Sequence, residues 1–139
     1  MGNWSYLGGG IATYGTTDIS LNGVKALGNE ANASSGGNGG FFYMGTEASS
    51  SEFVNCIFAG NKSNNRHGVV AIKGASKFVN STFHGNQASS GGGISLLFTG
   101  DSIILQNCIL WDNSDPNGYE IWVNSGDASA EYSLSLIHI

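Results

Sequence analysis

Few side chains in this sequence can do covalent or metal chemistry, and they fall into four groups. The run Asp112-Asn113-Ser114-Asp115-Pro116-Asn117-Gly118-Tyr119-Glu120 collects three carboxylates with Asn and Gly. Oxygen donors of this kind around a glycine turn are what a calcium ion takes, so Asp112, Asp115 and Glu120 are the candidate ligands and calcium the candidate cofactor. Their spacing does not fit the EF-hand pattern, and Asp-Pro with Asn-Gly equally sets a plain turn. Arg66 and His67 form the second group, with Lys62 and Lys73 as the other nearby bases. No paired acidic residues stand at matching positions, so this group reads as a polar loop, not a proton-transfer site. Cys56 and Cys108 are the two thiols. Trp111, His84 and Trp122 are rings that stack on sugars when they stand on an open surface, which makes them the candidate carbohydrate-binding residues.

The elements that position these groups are constrained by composition. In 139 residues, long enough for one domain, only 11% are charged while 40% are hydrophobic, which separates the chain from disordered sequences. Glycine is abundant at 22 residues and proline occurs once, the balance of many tight turns between short strands. A net charge of −5, with five Lys plus Arg, argues against a nucleic-acid partner, because few phosphates could be neutralised. No stretch reaches the length of a membrane-spanning helix. Two cysteines do not make a disulfide framework. Neither a basic start nor an apolar stretch follows Met1, so no signal peptide is visible.

Internal periodicity carries the fold reading. Phe53-Val54-Asn55-Cys56-Ile57-Phe58-Ala59-Gly60-Asn61, Phe78-Val79-Asn80-Ser81-Thr82-Phe83-His84-Gly85-Asn86 and Leu105-Gln106-Asn107-Cys108-Ile109-Leu110-Trp111-Asp112-Asn113 share one frame. A weaker copy, Leu21 to Asn29, precedes them. The closing residues Asn29, Asn61, Asn86 and Asn113 are 32, 25 and 27 residues apart. A second element alternates with the first: Gly10-Ile11-Ala12-Thr13, Gly40-Phe41-Phe42-Tyr43, Gly68-Val69-Val70-Ala71, Gly93-Ile94-Ser95-Leu96 and Glu120-Ile121-Trp122-Val123. The runs are short, alternate with period two, favour β-branched and aromatic residues, and are closed by Gly or Asn, so they are strands. A short strand buries its apolar face only by stacking on the next copy, with strands roughly 4.8 Å apart.

The frame assigns columns. Leu21, Phe53, Phe78 and Leu105 should stack inside, as should Ala26, Phe58, Phe83 and Leu110. Gly23, Asn55, Asn80 and Asn107 share the tolerance of positive φ that a left-handed bend requires, and the three asparagines are expected to hydrogen-bond along their column. Cys56 and Cys108 sit one above the other with Ser81 between them. Two strand spacings put them at roughly 9.6 Å, beyond disulfide reach, so two buried free thiols are expected. His84 and Trp111 share an outward column with Leu27 and Ala59, and Trp122 another with Ala12, Phe42, Val70 and Ser95. A loop or a neighbouring part of the parent chain covering these columns is the plainer reading. Glu52 and Lys77 should form a cross-strand pair worth under about 1 kcal/mol.

The pairing of Gly91-Gly92-Gly93-Ile94 with Phe58-Ala59-Gly60-Asn61 and Phe83-His84-Gly85-Asn86 resembles the repeats of polymorphic outer-membrane proteins. More broadly, the chain from about Gly8 to Ser133 is similar to right-handed β-helix proteins of the pectate-lyase-like superfamily. The resemblance implies export to the cell surface or the medium. It also implies that polysaccharide chemistry would use a basic residue beside calcium-holding acids, or the Asn-Thr-Asp, Asp-Asp and Gly-His-Gly motifs of the hydrolases, which this sequence lacks.

The expectation is therefore an all-β, right-handed parallel β-helix of about five coils, three strands each, over residues 1–133. Residues 134–139 break the pattern and match an in-frame translation of a sequencing-adapter end, so they are expected to be a non-native tail, which sets His138 aside. The expected role is a structural or adhesive segment of a larger secreted or surface protein, whose partners are the rest of the parent chain and a polysaccharide or cell-surface glycan. The alternatives are a polysaccharide lyase or hydrolase with active residues mostly outside this sequence, and a carbohydrate-binding β-helix. Four Asn-X-Ser/Thr triplets, at Asn3, Asn32, Asn61 and Asn80, are expected from composition alone, with Asn80 poorly accessible. Expressed alone, coils without caps should associate end to end.

Overall fold

The computed structural model describes residues 4–5, 9–15, 18–32, 39–45, 49–64, 67–96, 100–117, 120–123, 127–131 and 134–136. Among them the chain is all strand and turn, with no helix. The strands run β1 (Trp4–Ser5), β2 (Ile11–Thr13), β3 (Asp18–Asn22), β4 (Lys25–Leu27), β5 (Glu30–Ala31) and β6 (Phe42–Met44). They continue with β7 (Ser49–Val54), β8 (Ile57–Ala59), β9 (Lys62–Ser63), β10 (Val70–Ile72), β11 (Gly74–Val79) and β12 (Thr82–His84). The last are β13 (Ile94–Leu96), β14 (Ser102–Gln106), β15 (Ile109–Trp111), β16 (Ile121–Val123), β17 (Asp127–Glu131) and β18 (Leu134–Leu136).

Every pairing is parallel, and every partner lies one repeat away, which is the topology of a β-solenoid. A first sheet orders β2-β6-β10-β13-β16, a second β3-β7-β11-β14-β17, and a third β4-β8-β12-β15-β18. A fourth, short sheet β1-β5-β9 is prolonged by bridges from Lys62 to Gln87 and from Gln87 to Ser114. Each repeat therefore has a fourth extended position besides the three expected strands. Its strands are two residues long, too short to show alternation in sequence. Leu134–Leu136, set apart as a tail, pair with Ile109–Trp111 as β18.

The second and third sheets alternate buried and exposed residues, as strands with one covered face must. Phe53 pairs with Leu21 and Phe78, and Phe78 with Leu105; Phe58 pairs with Ala26 and Phe83, and Phe83 with Leu110. All four phenylalanines are fully buried. Burying each ring contributes roughly 1.5–3 kcal/mol, before the packing of ring on ring.

Between the second and third sheets the chain turns through Gly23, Asn55, Asn80 and Asn107, with φ of 69°, 55°, 50° and 54°. The three asparagines form the expected ladder, Asn80 Nδ2 donating to Asn55 Oδ1 at 3.4 Å and Asn107 Nδ2 to Asn80 Oδ1 at 3.2 Å, and Asn55 Nδ2 prolongs it to Asn22 Oδ1 at 3.3 Å, one residue outside the column. Asn80 is exposed, not inaccessible. A second left-handed column follows the third sheet, through Gly28, Gly60, Gly85 and Asp112 (φ 61°, 61°, 59° and 56°). At its glycines a Cβ would touch nothing within 4 Å, so the demand is on backbone conformation alone.

The first sheet differs from the sequence reading by one residue. Ile11 pairs with Phe42, Phe42 with Val70, Val70 with Ile94, and Ile94 with Ile121. Phe41 and Val69 instead share the preceding column with Gly10, Gly93 and Glu120: Gly10 N–H and Ile11 N–H both donate to Phe41 O, and Gly93 N–H and Ile94 N–H both donate to Glu120 O. Phe41 points inward, 5.7 Å from the Phe58 ring. Two adjacent apolar residues are both buried there, so hydrophobicity carries no phase.

Candidate functional site

His84 and Trp111 face outward from adjacent strands of the third sheet, directly paired. His84 Nδ1 lies 3.3 Å from the Trp111 carbonyl oxygen, a hydrogen bond in the Nδ1–H tautomer. Around them the sheet is bare and apolar, with Leu27 51%, Ile57 37%, Ile109 46% and Trp111 43% exposed. Trp122 does not belong to this face. It lies in β16 of the first sheet, half-buried, its ring 5.6 Å from that of His67. Its register partner is Ser95, aligned with Ala71, Tyr43 and Ala12, so the expected membership of Phe42 and Val70 in its column is corrected.

The outer face of the first sheet is covered at its middle strands, where Tyr43, Ala71 and Ser95 are buried, while Ala12 is exposed and Trp122 half-buried at its edges. Ser95 Oγ accepts from Gly68 N–H at 2.5 Å and donates to Ser90 O at 2.9 Å, tying down the segments that lie across it. Gly91 passes so close to this sheet that a Cβ there would meet Trp122 Cβ at 2.6 Å. On the first sheet Tyr43, Ala71 and Ser95 thus lie under neighbouring segments, while on the third sheet Leu27 and Trp111 are exposed.

The three carboxylates of the acidic run have separate partners. Asp112 is exposed and occupies the left-handed position that glycine holds in the other copies, a conformation Asp tolerates. Asp115 Oδ2 accepts from Gly91 N–H at 2.7 Å and Oδ1 from Asn117 N–H at 2.8 Å. Glu120 is buried, with Oε1 accepting from Asn113 N–H at 3.2 Å and Oε2 from Asn113 Nδ2 at 2.5 Å. Among the described residues, no three His, Cys, Asp or Glu gather where they could hold one metal ion. Of the basic group, Arg66 lies outside the described residues, Lys62 is exposed on β9, and Lys73 is half-buried just after β10.

Glu120 ends a buried column that sequence reasoning used as a ruler without seeing its chemistry. Asn29 Nδ2 donates to Asn61 Oδ1 at 2.8 Å, Asn61 Nδ2 to Asn86 Oδ1 at 3.0 Å, and Asn86 Nδ2 to Asn113 Oδ1 at 2.6 Å. Each of these three amides after Asn29 also reaches a carbonyl: Asn61 to Ala26 O, Asn86 to Phe58 O and Asn113 to Phe83 O. Asn61 is 1% exposed, which removes it as a glycan acceptor in the folded chain.

Cys56 and Cys108 are free and buried, as expected. They also act as donors: Cys56 S–H reaches Val54 O at 3.3 Å, Ser81 O–H reaches Val79 O at 3.0 Å, and Cys108 S–H reaches Gln106 O at 3.4 Å. Three of the four copies thus place a small donor after the bend, Cys or Ser, while the first has Val24. Burial pushes the Cys108 thiol above its ordinary ionisation range, partly offset by backbone hydrogen bonds from the Ser81 and Gln106 region.

A shallow groove of about 430 Å³ crosses the second sheet, and sequence reasoning had seen only its central pair. Lys77 Nζ lies 4.0 Å from Glu52 Oε1, and Ser50 Oγ donates to Asp18 Oδ1 at 2.6 Å. Ser20, Ser102 and Ile104 complete the outward wall. A sequence signal was present only in Asp18-Ile19-Ser20-Leu21-Asn22, which alternates, whereas Ser49–Val54 and Ser102–Gln106 do not.

The fold defines the class, a parallel β-solenoid. No family model, curated protein or solved structure matches the chain. Among the described residues, no helix is long and apolar enough to cross a membrane.

Proposed function

We propose that the chain is a structural, adhesive segment of a larger secreted or surface protein, its coils wound right-handed as in the pectate-lyase-like proteins its repeats resemble. The observation that carries the reading is the use made of the reactive side chains. Glu120 holds Asn113, Asp115 holds Gly91 and Asn117, and both thiols donate to the backbone, so these groups support the stack itself. What remains for contact is surface: the bare third-sheet face and the shallow groove of the second.

A carbohydrate-contact reading is favoured by one further observation, the adjacency of His84 and Trp111 on that bare face, where a ring can stack on a sugar. Incubation with acidic and neutral polysaccharides tests the non-catalytic role, and the appearance of unsaturated products or new reducing ends overturns it. Glycan-array binding that disappears in Trp111→Ala supports contact at the third sheet. Binding that survives both Trp111→Ala and His84→Ala rules that face out.

A further inference from the structure

The buried asparagine column has a direction. In Asn29, Asn61 and Asn86 the main-chain N–H and the Nδ2 amide both donate to the Oδ1 of the next member. Asn113 is the last described member of that column and carries the same two donors, which must find acceptors because a buried donor without one keeps its full desolvation penalty. The repeat's own solution would be a fifth asparagine on the following layer. Glu120 arrives instead, only seven residues further along the same chain, and offers one oxygen to each donor. A carboxylate suits the end of such a column, because it accepts twice and donates nothing, whereas another amide would need an acceptor of its own.

Glu120 is also fixed through its backbone. Its carbonyl accepts from Gly93 N–H at 2.9 Å and Ile94 N–H at 3.3 Å, at the root of β16, the strand that sets Trp122 beside His67. Side chain and main chain thus join the end of the asparagine column to the edge of the first sheet.

We infer that Glu120 is a latch. It terminates the column, closes the chain between itself and Asn113, and holds β16 to the first sheet, so that these parts open as one unit when the carboxylate is lost. A coil stacked beyond this layer meets a column whose end is already filled.

Amide hydrogen exchange on the 139-residue protein and on Glu120→Gln tests the latch, because Gln keeps the side-chain length but turns one acceptor into a donor. Exchange at Asn113, Gly93 and Ile94 is expected to accelerate by about tenfold or more, with Asn61, Asn86 and Phe83 within about twofold of wild type. Unchanged exchange at Asn113, or equal acceleration at every layer, overturns the inference. Should the variant not fold, wild-type exchange in low denaturant decides: Asn113, Gly93 and Ile94 must follow one opening curve lying below that of Phe83. Separate curves for the three overturn it equally.

Discussion

Phe53 and Phe78 lie face to face, their ring centroids 4.5 Å apart and their planes 3° from parallel. Phe58 and Phe83 repeat the contact on the neighbouring sheet at 4.6 Å and 17°. Phe78 also meets Phe83 edge to face at 5.2 Å, so the four rings form one cluster across the core. Truncating Phe78 to Ala should cost about 3–5 kcal/mol, read as a lower urea midpoint. The Phe53→Ala, Phe78→Ala double variant should fall short of the sum of the singles, because the two rings share one contact. Additive losses would show that the stacked pair contributes nothing beyond separate burial.

The left-handed column after the third sheet gives a conformational prediction. Gly85 has φ of 59° with open space around its Cα, so Gly85→Ala should cost about 1–2 kcal/mol through the backbone alone. Gly85→Asn should cost less despite the larger side chain, since Asn tolerates that region and Asp112 already stands there in the next copy. Equal losses for Ala and Asn by urea denaturation would contradict the assignment.

The raised Cys108 ionisation gives a pH dependence. The folded chain favours the neutral thiol, while the unfolded chain ionises it at its ordinary pKa of about 8.5. This contribution to stability is therefore complete below that value and drains away as the pH rises past it. Tyr14, raised by burial and by Tyr43, adds a loss of the same sign at higher pH. The urea midpoint should fall between about pH 8 and about pH 10, and fall less in Cys108→Ser. Identical slopes for the two proteins would remove the thiol from the account.

The second and third sheets were legible because their strands recur in one frame and are separated by Asn or Gly, residues whose backbone tolerance marks the bend as clearly as the Phe columns mark the core. The first sheet was legible only to within one residue. Phe41-Phe42 and Val69-Val70 present two apolar neighbours each, and the hydrogen-bond partner of Ile11, not its hydrophobicity, settles which one is the strand. The inward bonds of Glu120 were not legible for a different reason. A sequence shows that a carboxylate lies near Asp112 and Asp115 along the chain, but not that its oxygens turn inward to Asn113. The closing asparagines were visible as a period, yet Asn is also a common surface turn residue, so nothing in the letters distinguished a buried amide column from a row of exposed turns. His84 and Trp111 were paired correctly because they sit inside the well-phased frame, whereas Trp122 sits in the poorly phased one.

The asparagine column has a consequence for how such a chain can change in length. Asn29, Asn61 and Asn86 each pass the same two donors to the oxygen of the next member, so along this column any of these layers can precede another. Deleting or duplicating a whole repeat leaves the amide junctions of this column alike, even though the repeats here are 25 to 32 residues long. Recombination between these copies therefore keeps the seam intact, whereas the layer of Asn113, closed by Glu120, presents a different acceptor.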